Sequence, residues 1–270
     1  MENATLQICL SAGDIERFGV CNFGDDLLLP GVRSARRLPP GAQSVIVCLF
    51  PFYVGNVQPR NLALYAMLPD YHTIVSEMLG RASSALSASA PTFHFEPFVD
   101  ASPICEVEAA RRAGLGIRGQ NGLLLAPDYG SMVLIGAIIT DLVLSPGTPG
   151  GSCEGCRQCQ KACPTGALSE WGVDAARCRS AITQKKGVLT PDETREIVRG
   201  GLVWGCDCCA LACPHNINPL RTHFSAFLQD IQPLATWDNL DALLKNRAFA
   251  WRGRSVLERN LAVLQQQKCL

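Results

Sequence analysis

Between Cys153 and Pro214 the chain reads Cys153-x2-Cys156-x2-Cys159-x3-Cys163-Pro164, then a lone Cys178, then Cys206-x2-Cys209-x3-Cys213-Pro214. Each iron of a cubane cluster takes one thiolate. A tight loop can wrap three cysteines at x2 intervals around one cluster, and the fourth thiolate must then arrive from elsewhere. The pattern is a ligand set for two 4Fe–4S clusters, and the chemistry it offers is one-electron transfer.

In two-cluster runs of this kind the cysteine before proline ligates the other cluster. Cys153, Cys156, Cys159 and Cys213 are therefore assigned to one cubane, and Cys163, Cys178, Cys206 and Cys209 to the other. The second run lacks its own first cysteine, so the remote Cys178 supplies it and Cys208 is left unused. Zinc takes paired C-x2-C units, but a three-member run ending in Cys-Pro and repeated in part is poorly explained by it. Disulfide-dense domains are small, whereas 270 residues can bury an ordinary core. Cys9, Cys21, Cys48, Cys105 and Cys269 read as small apolar residues or spare thiols. Glu2, Asp14 and Glu16 stand where a basic start and an apolar signal segment would be, so the expected compartment is the reducing cytoplasm.

The elements that must hold these groups belong to a well-buried chain: 47% of residues are hydrophobic and only 18% charged. Met132 to Leu144 is the most apolar stretch, yet Asp141 interrupts it and it is shorter than the roughly 20 residues of a spanning helix. No membrane anchor is expected. Lys plus Arg equals Asp plus Glu at 24 each, so no overall basic field advertises nucleic acid.

Residues 1–145 read as α/β. Ser44 to Phe50 is a buried strand after a Pro39-Pro-Gly41 loop. Tyr71 to Leu86 has helical spacing and runs into small residues, Ser83 to Ala90, that suit a frayed end or a loop. Thr92 to Val99 alternates as a strand, with Pro97 marking an edge or bulge. Asp100 closes it, and Ser102-Pro103 caps a helix to Arg112 that Gly114 stops. Leu123 to Leu125 and Val133 to Leu144 read as a strand hairpin through Pro127 to Gly130. Ser145 to Gly151 is a linker. A cluster module at 146–225 and a helical segment at 226–270 follow. The arginines at 247, 252 and 254 read as a solvated face of that last segment.

Several separate motifs resemble the cobalamin-dependent epoxyqueuosine reductases, relatives of the reductive dehalogenases. They are Leu64-Tyr-Ala66 with Asp70-Tyr-His72, Val99-Asp-Ala-Ser-Pro103, Ala113-Gly-Leu-Gly116 with Gly119-x-Asn121-x-Leu-Leu125, and Tyr129-Gly-Ser131 with Gly136 and Thr140-Asp-Leu142. Beyond the linker, Cys178-x4-Thr183-Gln-Lys-Lys-Gly187, Gly205-Cys-Asp-x-Cys209 and Arg259-Asn260-Leu-Ala262 continue the likeness. The resemblance implies an α/β sandwich domain holding base-off cobalamin and a C-terminal two-cluster ferredoxin-like module that feeds it electrons. Clusters of this type reach potentials low enough to reduce the cobalt. It implies Asp100 as the general acid, and such a group is useful near neutral pH if burial raises its pKa. It also implies cobalamin contacts at Arg33, Ala66, Leu124, Ile135, Thr183, Gln184 and Lys185. His72 is better read as a packing or hydrogen-bonding residue than as a cobalt ligand.

The departures fall on substrate recognition. Leu64, Met67 and Pro69 stand where the family usually carries arginines. Gln120 replaces a lysine, Ala137 a glutamate and His215 a tryptophan, and the family's C-terminal helical-repeat extension has no counterpart. Phosphate contacts supply much of nucleic-acid affinity, so these losses weaken the case for tRNA without removing it. The expected function is reduction of epoxyqueuosine to queuosine in tRNA, or of a related small molecule, by a monomer drawing on a ferredoxin- or flavodoxin-type donor. The alternatives are a carrier that reduces the corrinoid of a partner, and a cobalamin-binding module with no substrate of its own.

Overall fold

A computed structural model describes residues 1–170 and 172–266. The chain divides into two compact units, Met1–Pro51 with His72–Gly119 and Leu123–Glu154, and Phe52–Tyr71 with Gln120–Gly122 and Gly155–Leu270. Residues 52–71, which precede the sequence boundary at 145, thus cluster with the second unit.

The first unit contains α1 (Asn3–Ser11), β1 (Arg17–Asn22), β2 (Ser44–Pro51), α2 (Tyr71–Ser89), β3 (Phe95–Val99), α3 (Glu106–Arg112), β4 (Ile117–Arg118), β5 (Leu124–Leu125) and β6 (Val133–Thr140). Its sheet has the order β1-β2-β6-β3 with every neighbour antiparallel. All eight residues of β2 are buried, which requires cover on both faces. Side chains alternate across a strand. Val45, Val47 and Leu49 accordingly join Ala109 and Ala110 of α3, and Ala113 just beyond it, in one core. Phe50 lies on the opposite face with Val75 and Leu79 of α2, around the bare backbone of Gly136. The α/β sandwich read from sequence is the fold of this unit.

Pro97 lies on β3, which pairs only with β6, so the missing N–H faces an open edge as expected. The small-residue stretch after Leu86 stays helical to Ser89, because Ala82, Ser83 and Leu86 are buried and the Ser83 hydroxyl donates to Phe95 O at 2.5 Å.

Three local expectations are corrected. The helix begins at Glu106, not after Ser102-Pro103: residues 103–105 first run alongside 27–29, with Leu29 N donating to Pro103 O and Cys105 N to Leu27 O, both at 2.8 Å. β5 pairs with β4, not with β6, because Gly119 N closes a turn onto Leu123 O. The Ser145–Gly151 linker is a bound strap, with Gly147 N on Val20 O at 2.8 Å and Gly150 N on Arg111 O at 2.7 Å. At Gly150 a Cβ would strike Gly116 O, so only glycine passes there.

The second unit holds α4 (Gln158–Ala162), a short β7–β8 pair (Leu168–Ser169, Gly172–Val173), α5 (Arg179–Gln184), α6 (Pro191–Gly200), α7 (Cys208–Leu211), α8 (Ser225–Leu228), α9 (Leu240–Leu243) and α10 (Arg254–Gln266). Thr190 starts α6 with a capping box: its hydroxyl accepts from Glu193 N while the Glu193 carboxylate accepts from Thr190 N. Trp204 is buried against Phe249 with ring centroids 5.4 Å apart. The segment from Trp237 breaks into α9, a 3-10 turn at Ala250–Arg252 and α10. Arg247 contradicts the solvated-face reading, since its side chain is only 1% exposed and ties Asn246 O, Asp230 O and Asp230 Oδ2 together. Among the described residues no helix is long and apolar enough to cross a membrane.

Candidate cluster ligands and acid site

The two Cys-Pro steps are built alike. Cys163 after α4 and Cys213 after α7 both take extended backbone, with φ −71° and −76°, as a following proline demands. The helices before them, which carry Cys159 and Cys209, pack against each other. The partial repeat in the cysteine spacing is therefore also a structural repeat.

Burial pushes the Cys209 thiol up to about 12, and the charges of Cys206, Cys178, Cys163 and Cys159 add to the rise. Cys163, Cys178 and Cys206, assigned with Cys209 to one cubane, are thus within electrostatic reach of the Cys209 sulfur, as is Cys159 of the other set. Among the described residues no three of these side chains already converge on one metal-sized point. Burial also raises Cys163, but the Thr165 hydroxyl and the amides of Thr165, Ala167 and Leu168 outweigh it and hold the thiol below its usual value. Such a nest of donors suits a sulfur that must carry negative charge. Cys153 N donates to Arg118 O at 3.0 Å in the first unit, and the exposed Cys156 follows in the second.

Cys208 faces a different environment. Arg179 Nη1 lies 3.8 Å from its sulfur, and Arg179 Nη2 is held by Glu196 Oε2 at 2.8 Å. The hydrogen bond with Cys206 lowers the Cys208 thiol to about 6 against burial, with help from the Arg179 charge, while the same hydrogen bond and burial raise Cys206.

Around the second cysteine run, Arg60 and Asp207 form a buried ion pair, and Asp207 Oδ2 also accepts from Leu64 N at 3.1 Å. Asn61 N–H and C=O groups reach Pro233 and Val203, while its side chain bonds Ala235 in both directions. Asn260 Nδ2 donates to Thr183 O and Val203 O at 2.7 and 2.8 Å. Thr183 Oγ1 accepts from Gly205 N at 2.9 Å. Composition and spacing do not reveal these ties, although Asn260 and Thr183 both stand in the quoted motifs.

Asp100 follows β3 directly. Val99 pairs with Gly136, so Asp100 leaves the sheet at the Ile135 end of β6. Its φ of 58° is left-handed, a conformation that asparagine and aspartate tolerate better than most residues. Oδ2 lies 3.0 Å from His72 Nε2, and 60% of the Asp100 side chain is exposed. The burial expected from the apolar run before it is absent. It belongs instead to Glu106, the first residue of α3, whose carboxyl is pushed well above the usual range by burial and then by the Asp100 charge.

Of the remaining predicted contacts, Arg33 is exposed, Leu124 buried and Ile135 half-buried in the first unit. In the second, Ala66 and Thr183 are fully buried, Gln184 is half-buried, and Lys185 pairs with Glu193 at 2.7 Å. Cys9, Cys21 and Cys48 are core residues, as read. Burial pushes Cys21 up to about 11 and Cys48 higher still. Cys105 is half-buried, and Cys269 lies outside the described residues.

Residues 152–216 match the family model for a 4Fe-4S double cluster binding domain, and residues 33–101 match the model described as Epoxyqueuosine reductase QueG, DUF1730. The epoxyqueuosine reductase of Listeria monocytogenes is 36% identical over 210 residues, covering 72% of this chain and 54% of the relative. That of Vibrio cholerae is 33% identical over 263 residues, covering 92% and 69%. A crystal structure of epoxyqueuosine reductase with a tRNA-Tyr epoxyqueuosine-modified tRNA stem loop aligns with a TM-score of 0.81 at 23% identity, over 97% of this chain and 80% of that one. The chain spans between about half and two thirds of the length of the first curated relatives it matches. With sequence identity sustained across both units and the same fold beneath it, the chain belongs to the epoxyqueuosine reductase family.

Proposed function

We propose that this chain is a cobalamin-dependent iron–sulfur reductase that converts epoxyqueuosine to queuosine in tRNA. The observation that carries the reading is the structural repeat of the two cysteine runs, whose helices α4 and α7 pack together within a matched double-cluster segment. Asp100 supports it from the end of an α/β sheet. Cys153, Cys156, Cys159 and Cys213 would hold the other cluster. Cys208, engaged by Arg179, would hold neither.

The first unit offers ground that fits a large flat macrocycle. Val133, Leu134 and Ile135 open β6, a strand flanked on both sides, yet all three are only half-buried. Interior strands of a covered sheet are normally buried throughout, so this apolar floor is unfinished. Arg33, Leu124 and Ile135 would border the cofactor there. In the second unit, Ala66, Thr183, Gln184 and Lys185 are the further contacts that the family resemblance implies. Bound cobalamin would supply a strongly nucleophilic reduced metal; the chain would supply orientation and protons.

The tRNA of the crystallised relative is the proposed substrate here as well. Leu64, Met67 and Pro69, which replace the family's usual arginines, are buried, so RNA phosphate contacts must come from other residues. A ferredoxin- or flavodoxin-type donor, a monomeric state and a cytoplasmic location complete the proposal.

Anaerobic reconstitution with iron, sulfide and cobalamin, followed by metal analysis and EPR, tests it. About eight irons per chain, base-off cobalt and turnover of an epoxyqueuosine-bearing stem loop are expected. Eight irons without cobalamin retention or turnover would leave a two-cluster electron carrier instead.

A further inference from the structure

A cavity of about 340 Å³ opens in the first unit between the 3-10 turn Arg33–Arg37, α2 and β3. Its size falls within the ~300–1,000 Å³ of ligand clefts. Arg37, His72 and Ser76 supply its polar groups, and Pro97, Phe98 and Val99 an apolar wall. Arg37 is already fixed in place. Its guanidinium lies over the Phe98 ring, 4.7 Å from the centroid, while Nε donates to Glu96 Oε1 at 2.6 Å and Nη2 to Pro97 O at 2.8 Å. Ser76 is exposed one helical turn after His72, on the same face of α2. The cavity borders the acid site, because His72 meets Asp100 Oδ2 at 3.0 Å and Val99 is bonded to Asp100. From Leu27 to Pro51 the chain holds arginines 33, 36 and 37 and no carboxylate, and Arg33 and Arg36 are exposed on the turn that carries Arg37.

We propose that this cavity holds the unpaired base next to epoxyqueuosine on the RNA strand, which rests on the reading of the chain as a reductase of epoxyqueuosine in tRNA with Asp100 at the reacting base. Proteins read single-stranded RNA by splaying bases out and stacking them on guanidinium planes, imidazoles and aromatic rings. Arg37 and His72 offer such surfaces at the cavity, and the Ser76 hydroxyl can give or accept a hydrogen bond at a base edge. A nucleotide whose reacting ring stands at Asp100 has its strand neighbour one backbone unit away, and the cavity lies beside Asp100. A lone phosphate suits the site less well, because Glu96 already meets the Arg37 charge and β3 presents apolar groups. Arg33 and Arg36 instead carry the positive charge that the connecting phosphates require. A stacked base and this turn thereby offset the arginines absent at Leu64, Met67 and Pro69.

Fluorescence anisotropy of the reconstituted protein with a labelled stem loop, carrying epoxyqueuosine in its loop, tests the assignment without turnover. An abasic nucleotide placed on the 5′ or the 3′ side of epoxyqueuosine is expected to weaken binding by the native protein about tenfold on one side, the loss of one stacked base. Ser76→Trp fills the cavity from an exposed helix position. It should weaken binding of the intact stem loop by a similar factor and erase the effect of the abasic site, since the base and the cavity then count once and not twice. Arg37→Leu, which removes the stacking plane, should behave alike. Abasic sites that cost nothing on either side, or an abasic effect that persists in full in both variants, overturn the proposal. Turnover of the intact stem loop by the native protein separates the two levels. Turnover with no abasic effect overturns the cavity assignment alone, whereas a native protein that neither binds nor turns over the stem loop overturns the tRNA reading, and the cavity assignment falls with it.

Discussion

Arg60 Nη1 lies 2.7 Å from Asp207 Oδ2, with side chains only 8% and 11% exposed, and Asp207 stands between Cys206 and Cys208. The pair therefore ties the cysteine loop to an irregular segment far away in sequence. Burial pushes the Asp207 carboxyl up even with the guanidinium beside it, so the ion pair offsets a desolvation cost more than it adds net stability. Removing one partner leaves the other buried and uncompensated. Arg60→Ala is expected to cost about 3–5 kcal/mol, read by urea denaturation of the reconstituted protein. A loss below about 1 kcal/mol, the range of surface pairs, would show that the pair is solvated in solution.

The cysteine assignments separate by iron content. Under the proposed assignment, in which Cys178 shares a cubane with Cys163, Cys206 and Cys209, Cys178→Ser should lose about four of eight irons. Cys208→Ser should keep all of them, since the proposed assignment leaves this sulfur to Arg179, whose Nη1 lies 3.8 Å away. Equal iron loss in the two variants would exchange Cys208 for a ligand now assigned.

Asn260 carries a different load. Its amide satisfies Thr183 O and Val203 O inside a site where no water reaches the side chain. Asn260→Ala strands two buried carbonyls, and each buried acceptor left unmade costs about 1–3 kcal/mol. A fall in Tm with full iron incorporation after reconstitution is expected. An unchanged Tm would mean that water replaces the amide.

Cysteine spacing and the apolar run Ser44–Phe50 were legible because each is local: a cubane fixes which residue types recur, and a covered strand fixes a continuous hydrophobic run. What escaped depends on partners distant along the chain. Glu106 looks like any helix-initiating acid until the fold encloses its Oε1, and burial and then the Asp100 charge raise its carboxyl. Arg247 looks like a surface charge until Asp230 meets it. The strand hairpin through Pro127–Gly130 was misread because apolar runs do not name their partners, and Gly119 turned β5 onto β4 instead. The capping signal Thr190-Pro-Asp-Glu193 was readable and would have located α6.

Glu108 and Glu106 sit two residues apart on one helix and should pull stability in opposite directions with pH. Hydrogen bonds from Arg111 and then Arg112 hold Glu108 down at about 2, against a rise from burial. A depressed carboxyl contributes stability that is present above its unfolded value and lost as pH falls through its folded one. Glu108→Gln should thus cost about 1–2 kcal/mol at neutral pH, discounted for the partial exposure of its partners. The difference from native should close between about pH 4.5 and 2. Glu106 is raised, so its contribution is present below the ordinary carboxylate range and is lost as pH climbs through its elevated folded value. Glu106→Gln removes that loss, and its stability relative to native should grow on the alkaline side. Denaturant midpoints of the two variants, followed from acid to mildly alkaline pH, check both slopes. Parallel curves would show that the two carboxyls share one environment, contrary to their placement on opposite sides of the first turn of α3.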